Sequence, residues 1–174
     1  VLVLFRKHWV LVVIAALVFA GNNAAGYMTT GGFLQAYMTD PDGPVGHSAT
    51  EVLLAVSFGA VMWFGFTLLS GVVADAIGRT RTYQIGFLSQ LLCIFPLFWM
   101  VNSGSLALLY VAFALFAIGL GFSYGPQAAL YSELFPASVR FSGVSISYAL
   151  GAILGGAFAP MIAQLILDST GQAW

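Results

Sequence analysis

The chain has 174 residues, of which 60% are hydrophobic and 6% charged, and its formal net charge is −1. Soluble domains carry about 25% charged residues, so a water-soluble globule is excluded. Five basic residues that form no patch exclude a nucleic-acid surface, and a lone cysteine, Cys93, inside an apolar run excludes a disulfide framework or a thiolate metal site.

The charges are bunched. Residues 8–39, 52–74, 82–132 and 141–167 contain no Asp, Glu, Lys or Arg. An uncharged apolar stretch of about 18 residues or more reads as a membrane-spanning helix. The sequence therefore predicts an all-α, polytopic transmembrane bundle of about five spans, with residues 1–174 forming one domain in the lipid bilayer. Arg6 and Lys7 ahead of an apolar run resemble a signal-peptide start, but the run is too long and four more spans follow it.

The first helix is expected over residues 9–38, interrupted by "GYMTTGG" at 26–32, where glycine and threonine weaken the helix and favour a bend. "TDPDGPVGHS", residues 39–48, is a Pro/Gly/Asp loop. The second helix is expected over 49–74, opened by Ser48 or Thr50 as a cap, with Glu51 in the favourable first turn. The third covers 82–101, and "NSGS" at 102–105 turns the chain into the fourth, over 106–132. The fifth covers 141–167. Gly151 with Gly155, and Gly119, Gly121 and Gly125, read as packing positions, because small residues let helix backbones approach. Gly125–Pro126 reads as a hinge. Trp63, Phe64, Phe66, Phe95, Phe98 and Trp99 read as lipid-facing or interfacial.

Arg6, Lys7, Arg79, Arg81 and Arg140 all fall on one side when the spans alternate, and the opposite segments carry no Lys or Arg. The positive-inside rule then places the N-terminus and the loops at 75–82 and 133–140 in the cytoplasm, with Asp40, Asp42 and Asp168 outside. Several of these charges oppose their own helix ends. Asp75 lies in the last turn of the second helix, followed by Gly78 as a left-handed cap. Glu133 ends the fourth helix with the wrong sign, Pro136 stops it, and Arg140 opens the fifth with the wrong sign. Either Asp75, Arg79, Glu133 and Arg140 pair in a network across loops or with another helix's N-terminus, or these are ordinary turns that only fix topology.

"GVVADAIGRTR" fits G-x-x-x-D-x-x-G-R-x-R, and "ELFPASVRFSG" fits E-x-x-P-x-x-x-R-x-x-G. Both resemble the loop signatures of the major facilitator superfamily, and "SGVSISYALGAILGGAFAPMIAQL" (142–165) is similar to its metabolite:proton symporter branch. That branch carries shikimate, 2-oxoglutarate, citrate, and proline or betaine. The resemblance covers essentially the whole chain, read as helices seven to eleven of a twelve-helix fold. It implies a fragment of a bacterial inner-membrane transporter whose partner is a missing N-terminal six-helix half, with no twelfth helix before Trp174. It also implies that Gly71, Asp75, Gly78, Arg79 and Arg81, with Glu133, Pro136, Arg140 and Gly143, form a cytoplasmic lock that stabilises the outward-open state.

Repeat-built transporters bind substrate near the bilayer midplane, along broken helices. On the broken first helix, Asn22, Gly26 and Thr29 share one face and Asn23, Tyr27 and Thr30 the next, with Gln35 and Tyr37 further out. Amides in hydrocarbon are costly unless paired, so consecutive asparagines suggest a wet cavity. The resemblance adds Tyr124 and Gln127, since the family's seventh and tenth helices line the cavity. The alternative for each of these residues is helix–helix hydrogen bonding. A small metabolite is the expected ligand and a proton the expected coupling ion, with no other cofactor. Every Asp, Glu and His lies near a helix boundary, so the resemblance puts the coupling carboxylate in the missing half. The absence of charge and histidine within the spans argues against a membrane enzyme. A non-transporting scaffold or channel-like bundle is the competing architecture.

Overall fold

A computed structural model describes residues 2–30, 32–41 and 45–170. Gly31, Asp42 and the tail at 171–174 lie outside the described residues. Among those described, the regular structure is helical throughout: α1 (Leu2–Lys7), α2 (Trp9–Thr30), α3 (Phe33–Thr39), α4 (Ala49–Ile77), α5 (Arg79–Asn102), α6 (Leu106–Tyr124), α7 (Gln127–Leu134), α8 (Arg140–Ala152), a π-helical segment (Ile153–Phe158), and α9 (Ala159–Thr170). Five helical runs are long and apolar enough to cross a membrane: Trp9–Thr39, Ala49–Ile77, Arg79–Asn102, Leu106–Leu134 and Arg140–Thr170. Exposed Phe64, Phe95 and Trp99 supply an apolar outer surface suited to lipid.

The first breaks and caps have local causes. The first span breaks after Thr30 and resumes at Phe33. The Thr29 and Thr30 hydroxyls donate back to the carbonyls of Ala25 (2.8 Å) and Gly26 (2.7 Å), which loosens the end of α2. Gly32, at φ 126°, then turns the chain into α3. The start of α4 is a capping box. The Glu51 N–H donates to Ser48 Oγ at 3.3 Å, and the Ser48 N–H donates to the Glu51 carboxylate at 3.0 Å. The turn expected at 75–82 is reduced to Gly78, because α4 continues to Ile77 and α5 starts at Arg79. Gly78 holds φ 92° and ψ 147°, an extended conformation of positive φ rather than the left-handed helical cap expected.

The fourth span is broken at Gly125–Pro126 between α6 and α7. The fifth is not the single helix the sequence suggests. Pro160 has no N–H to offer the preceding turn, and the adjacent Gly155 and Gly156 let the ladder slip into a π-helical turn.

The helices pack in two groups. In the first, α6 lies between α4 and α5; in the second, α2 lies along α8 and the π-helical segment. Glycines set both approaches. A Cβ at Gly121 or Gly125 would strike α4, and one at Gly86 would strike the α6 backbone at Ser123. A Cβ at Gly151 would lie 2.7 Å from the Ala16 carbonyl of α2, and one at Gly155 would collide with the Ala20 carbonyl. One core, with Phe33, Leu97, Leu109 and Phe116, fills the end of the bundle where α3 meets α4. A second, with Leu4, Tyr83, Tyr131 and Phe135, fills the opposite end, where the basic residues are gathered. Contacts between α2 and α4 or α6 are sparse by comparison. That seam contains the site.

Candidate functional site

Near the middle of the spans, where the two groups meet, a cavity of about 400 Å³ opens between α2, α4 and α6. Its α2 wall is Asn22, Asn23, Gly26, Tyr27 and Thr30; Trp63 of α4 and Tyr124 of α6 close the other side. The rings of Trp63 and Tyr124 meet edge to face, with centroids 5.7 Å apart and planes at 80°. The Tyr27 ring lies against Gly156 of the π-helical segment, 3.1 Å from where a Cβ would stand. No Asp, Glu, Lys, Arg or His among the described residues lines this cavity.

Beneath it runs a buried polar network. The Asn22 amide donates to Gln127 Oε1 at 2.9 Å, and the Ser123 hydroxyl approaches Asn22 Oδ1 at 2.7 Å. The Gln90 amide donates to Ser123 Oγ at 2.7 Å and to the Gly119 carbonyl at 3.1 Å. Residues of α2, α5, α6 and α7 are thereby tied together at one depth, where losing one member would leave a buried polar partner unsatisfied. Gln127 Nε2 is buried with no partner among the described residues.

The residues nominated from sequence therefore separate. Asn23, Tyr27, Thr30 and Tyr124 line the cavity. Asn22 touches it but spends its amide on the network, and Gln127 is 1% exposed within that network. Gln35 lies apart, donating to the Thr30 carbonyl at 2.8 Å and so bridging the break in the first span. Tyr37 ties α3 to the end of α5, donating to Asn102 Oδ1 at 2.7 Å. Trp63 corrects an expectation: it faces the cavity rather than lipid. Its register is the available signal, since Thr67 and Ser70 follow it at i+4 and i+7 on the same face of a largely apolar helix. Gln90 and Ser123 escape sequence reasoning, because single polar residues in apolar runs give no sign of their partners.

At the basic end, Arg79 forms an ion pair with Glu133. Each opposes its own helix dipole, Arg79 at the start of α5 and Glu133 near the end of α7, and each offsets the other. Arg140 donates from Nε to the Phe135 carbonyl at 3.3 Å. Asp75 and Arg81 are exposed and belong to no ion pair among the described residues. The expected four-residue network is thus one pair plus a backbone contact in this conformation. The physical reason is reach: Asp75 lies on an outer face of α4 shared with Gly71, where an added Cβ would meet nothing within 4 Å. Pro136 accepts from the Val139 N–H at 3.0 Å, and Gly143 leaves room for the buried ring of Phe135, so both fix the turn that presents Glu133.

The family model described as Major Facilitator Superfamily matches residues 1–160. The ectoine/proline transporter ProP of Corynebacterium glutamicum is 31% identical over 95% of the chain and 32% of its own length. The inner membrane metabolite transport protein YhjE of Escherichia coli is 38% identical over 64% of the chain and 26% of its own length. The citrate-proton symporter of Klebsiella pneumoniae is 26% identical over 72% of the chain and 28% of its own length. The chain spans about a third or less of the length of these relatives. No solved structure matches it. With five apolar spans and a family match over nearly its whole length, this chain belongs to the major facilitator superfamily.

Proposed function

We propose that the chain is part of a proton-coupled secondary transporter for a small organic acid or zwitterionic metabolite, working by alternating access in a bacterial inner membrane. The observation that carries this reading is the uncharged cavity at mid-depth on the seam between two helix groups. Relatives described as an ectoine/proline transporter and a citrate-proton symporter support both the solute class and the coupling. The basic end faces the cytoplasm on this reading, by the positive-inside rule. A second set of helices would supply the opposite cavity wall and the proton-carrying carboxylate. The described acidic residues Asp40, Glu51, Asp75, Glu133 and Asp168 all lie at or near helix ends. The Arg79–Glu133 pair and the neighbouring Asp75 and Arg140 serve as the cytoplasmic lock.

The test is uptake into proteoliposomes holding the complete transporter that carries this chain, screened over organic acids and zwitterions with an imposed proton gradient. We expect saturable accumulation that a protonophore abolishes. Flux that neither saturates nor responds to the gradient would indicate a channel, and no flux for any compound would indicate a scaffold.

A further inference from the structure

We infer that Gly156 is a positioning residue for the cavity: by carrying no side chain it seats the Tyr27 ring against the fifth span, and so sets how large a molecule fits beside Asn23. The inference rests on the transport reading only in taking that molecule to be the solute.

On α2, Ala16, Ala20, Ala24 and Tyr27 follow at spacings of four, four and three, which places them on one stripe of the helix. The stripe faces the fifth span. A Cβ at Gly151 would press on the Ala16 carbonyl, and one at Gly155 on the Ala20 carbonyl and the Ala24 nitrogen. Small residues oppose small residues along this contact until Tyr27, the first bulky side chain in the row.

There the fifth span changes geometry. Ile153–Phe158 is π-helical, and its i→i+5 hydrogen bonds add about one residue to the turn. In an α-helix adjacent residues point about 100° apart, so only one of a neighbouring pair faces a given partner squarely. The widened turn brings both Gly155 and Gly156 onto α2, the first against backbone and the second against the Tyr27 ring. An added Cβ at Gly156 would lie 3.1 Å from Tyr27 Cε2, 3.3 Å from Cδ2 and 3.6 Å from Cζ.

The other side of that ring is the cavity. Tyr27 is 48% exposed, and it lines the cavity one turn after Asn23, at i+4 on the same face. It stands where the packing stripe borders the cavity face. A helical tyrosine has about two usable χ1 settings, because the third drives the ring into the preceding turn. A side chain at position 156 therefore displaces the ring toward Asn23 and narrows the space there. Substitution at Gly155 parts two backbones, whereas substitution at Gly156 moves one side chain.

The experiment measures the size of molecule that reaches position 23. In the complete transporter with Cys93→Ser and Asn23→Cys, rates of modification by methyl and by benzyl methanethiosulfonate are compared, and their ratio reports the room beside the ring. Gly156→Leu is expected to raise the methyl-to-benzyl ratio about tenfold, and Gly156→Ala about threefold. Once Tyr27→Ala removes the ring, neither should change the ratio by more than about twofold, a non-additivity that loosened helix packing would not produce. A ratio unchanged by Gly156→Leu, or a change of equal size with and without the ring, would overturn the inference. If Gly156→Leu does not fold, the cycle of Gly156→Ala with Tyr27→Ala decides alone. Uptake by the same preparations keeps the two readings apart. A ratio that shifts as expected in a protein that accumulates no solute supports the seating of the ring and removes transport. An unchanged ratio in a protein that accumulates solute does the reverse.

Discussion

Reversing one charge of the Arg79–Glu133 pair is expected to slow uptake by the complete transporter about thirtyfold, and reversing both is expected to restore it to within about threefold. The magnitude follows from exposure. Both side chains are about half exposed, and an exposed pair contributes at most about 1 kcal/mol. Arg79→Glu replaces attraction with repulsion of similar size, a swing of about 2 kcal/mol, or about thirtyfold in the ratio of two conformations. That is minor for the stability of a helical bundle and large for a cycle that must populate both postures in turn. Glu133→Arg should behave alike, and the double reversal re-forms the pair with opposite polarity. Uptake and thermal unfolding, measured on the same preparations, separate the roles. A lock predicts lost uptake with nearly unchanged melting. Melting that falls in proportion to uptake would reduce the pair to scaffolding, and single variants at full rate would remove the gate.

The same substitution at two glycines is expected to have opposite signs. Alanine is favoured over glycine inside a helix by about 1 kcal/mol, so Gly65→Ala, with nothing within 4 Å of its Cβ position, should be neutral or slightly stabilising. At Gly155 the added carbon meets the Ala20 carbonyl and stands 2.9 Å from the Ala24 nitrogen. Backbone cannot rotate away as a side chain can, so α2 must separate from the π-helical segment. Overpacking of this kind costs about 3 kcal/mol, which should lower the melting temperature measurably. Because that separation also moves the Tyr27 ring, uptake should fall with stability at Gly155 and not at Gly65. Equal melting of the two variants in detergent would show that the glycine approach is not what holds α2 to the fifth span.

How much of this is legible in the sequence depends on the range of the interaction. The spans follow from runs without charge, and the capping box at Ser48 and Glu51 and the breaks near Gly32 and Gly125–Pro126 follow from neighbours in the chain. Asn23, Tyr27 and Thr30 are reachable as one face of a broken helix, because helical periodicity places them together whatever they face. Partner choice is not legible. Asn22 looks the same in sequence whether its amide meets a solute or Gln127, 105 residues away. Trp63 looks like a lipid anchor until α2 and α6 are placed beside it. The π-helical segment needs both a local signal, Gly155–Gly156 before Pro160, and a distant one, the close approach of α2. At the basic end, the wrong-signed charges announce that partners exist, while only the meeting of α5 and α7 shows that Arg79 takes Glu133 and leaves Asp75 outside the pair.

On the proposed transport reading, the seam between α2 and the α4–α6 group is a solute path that opens to the two membrane faces in turn, and thiol accessibility reports on that opening. In the complete transporter with Cys93→Ser, a cysteine introduced by Asn23→Cys would be exposed to a membrane-impermeant thiol reagent applied from either side of sealed vesicles. The predicted result is modification from both sides, slowed at least tenfold by a saturating concentration of the carried solute. Modification from neither side, or at a rate indifferent to the solute, would contradict it.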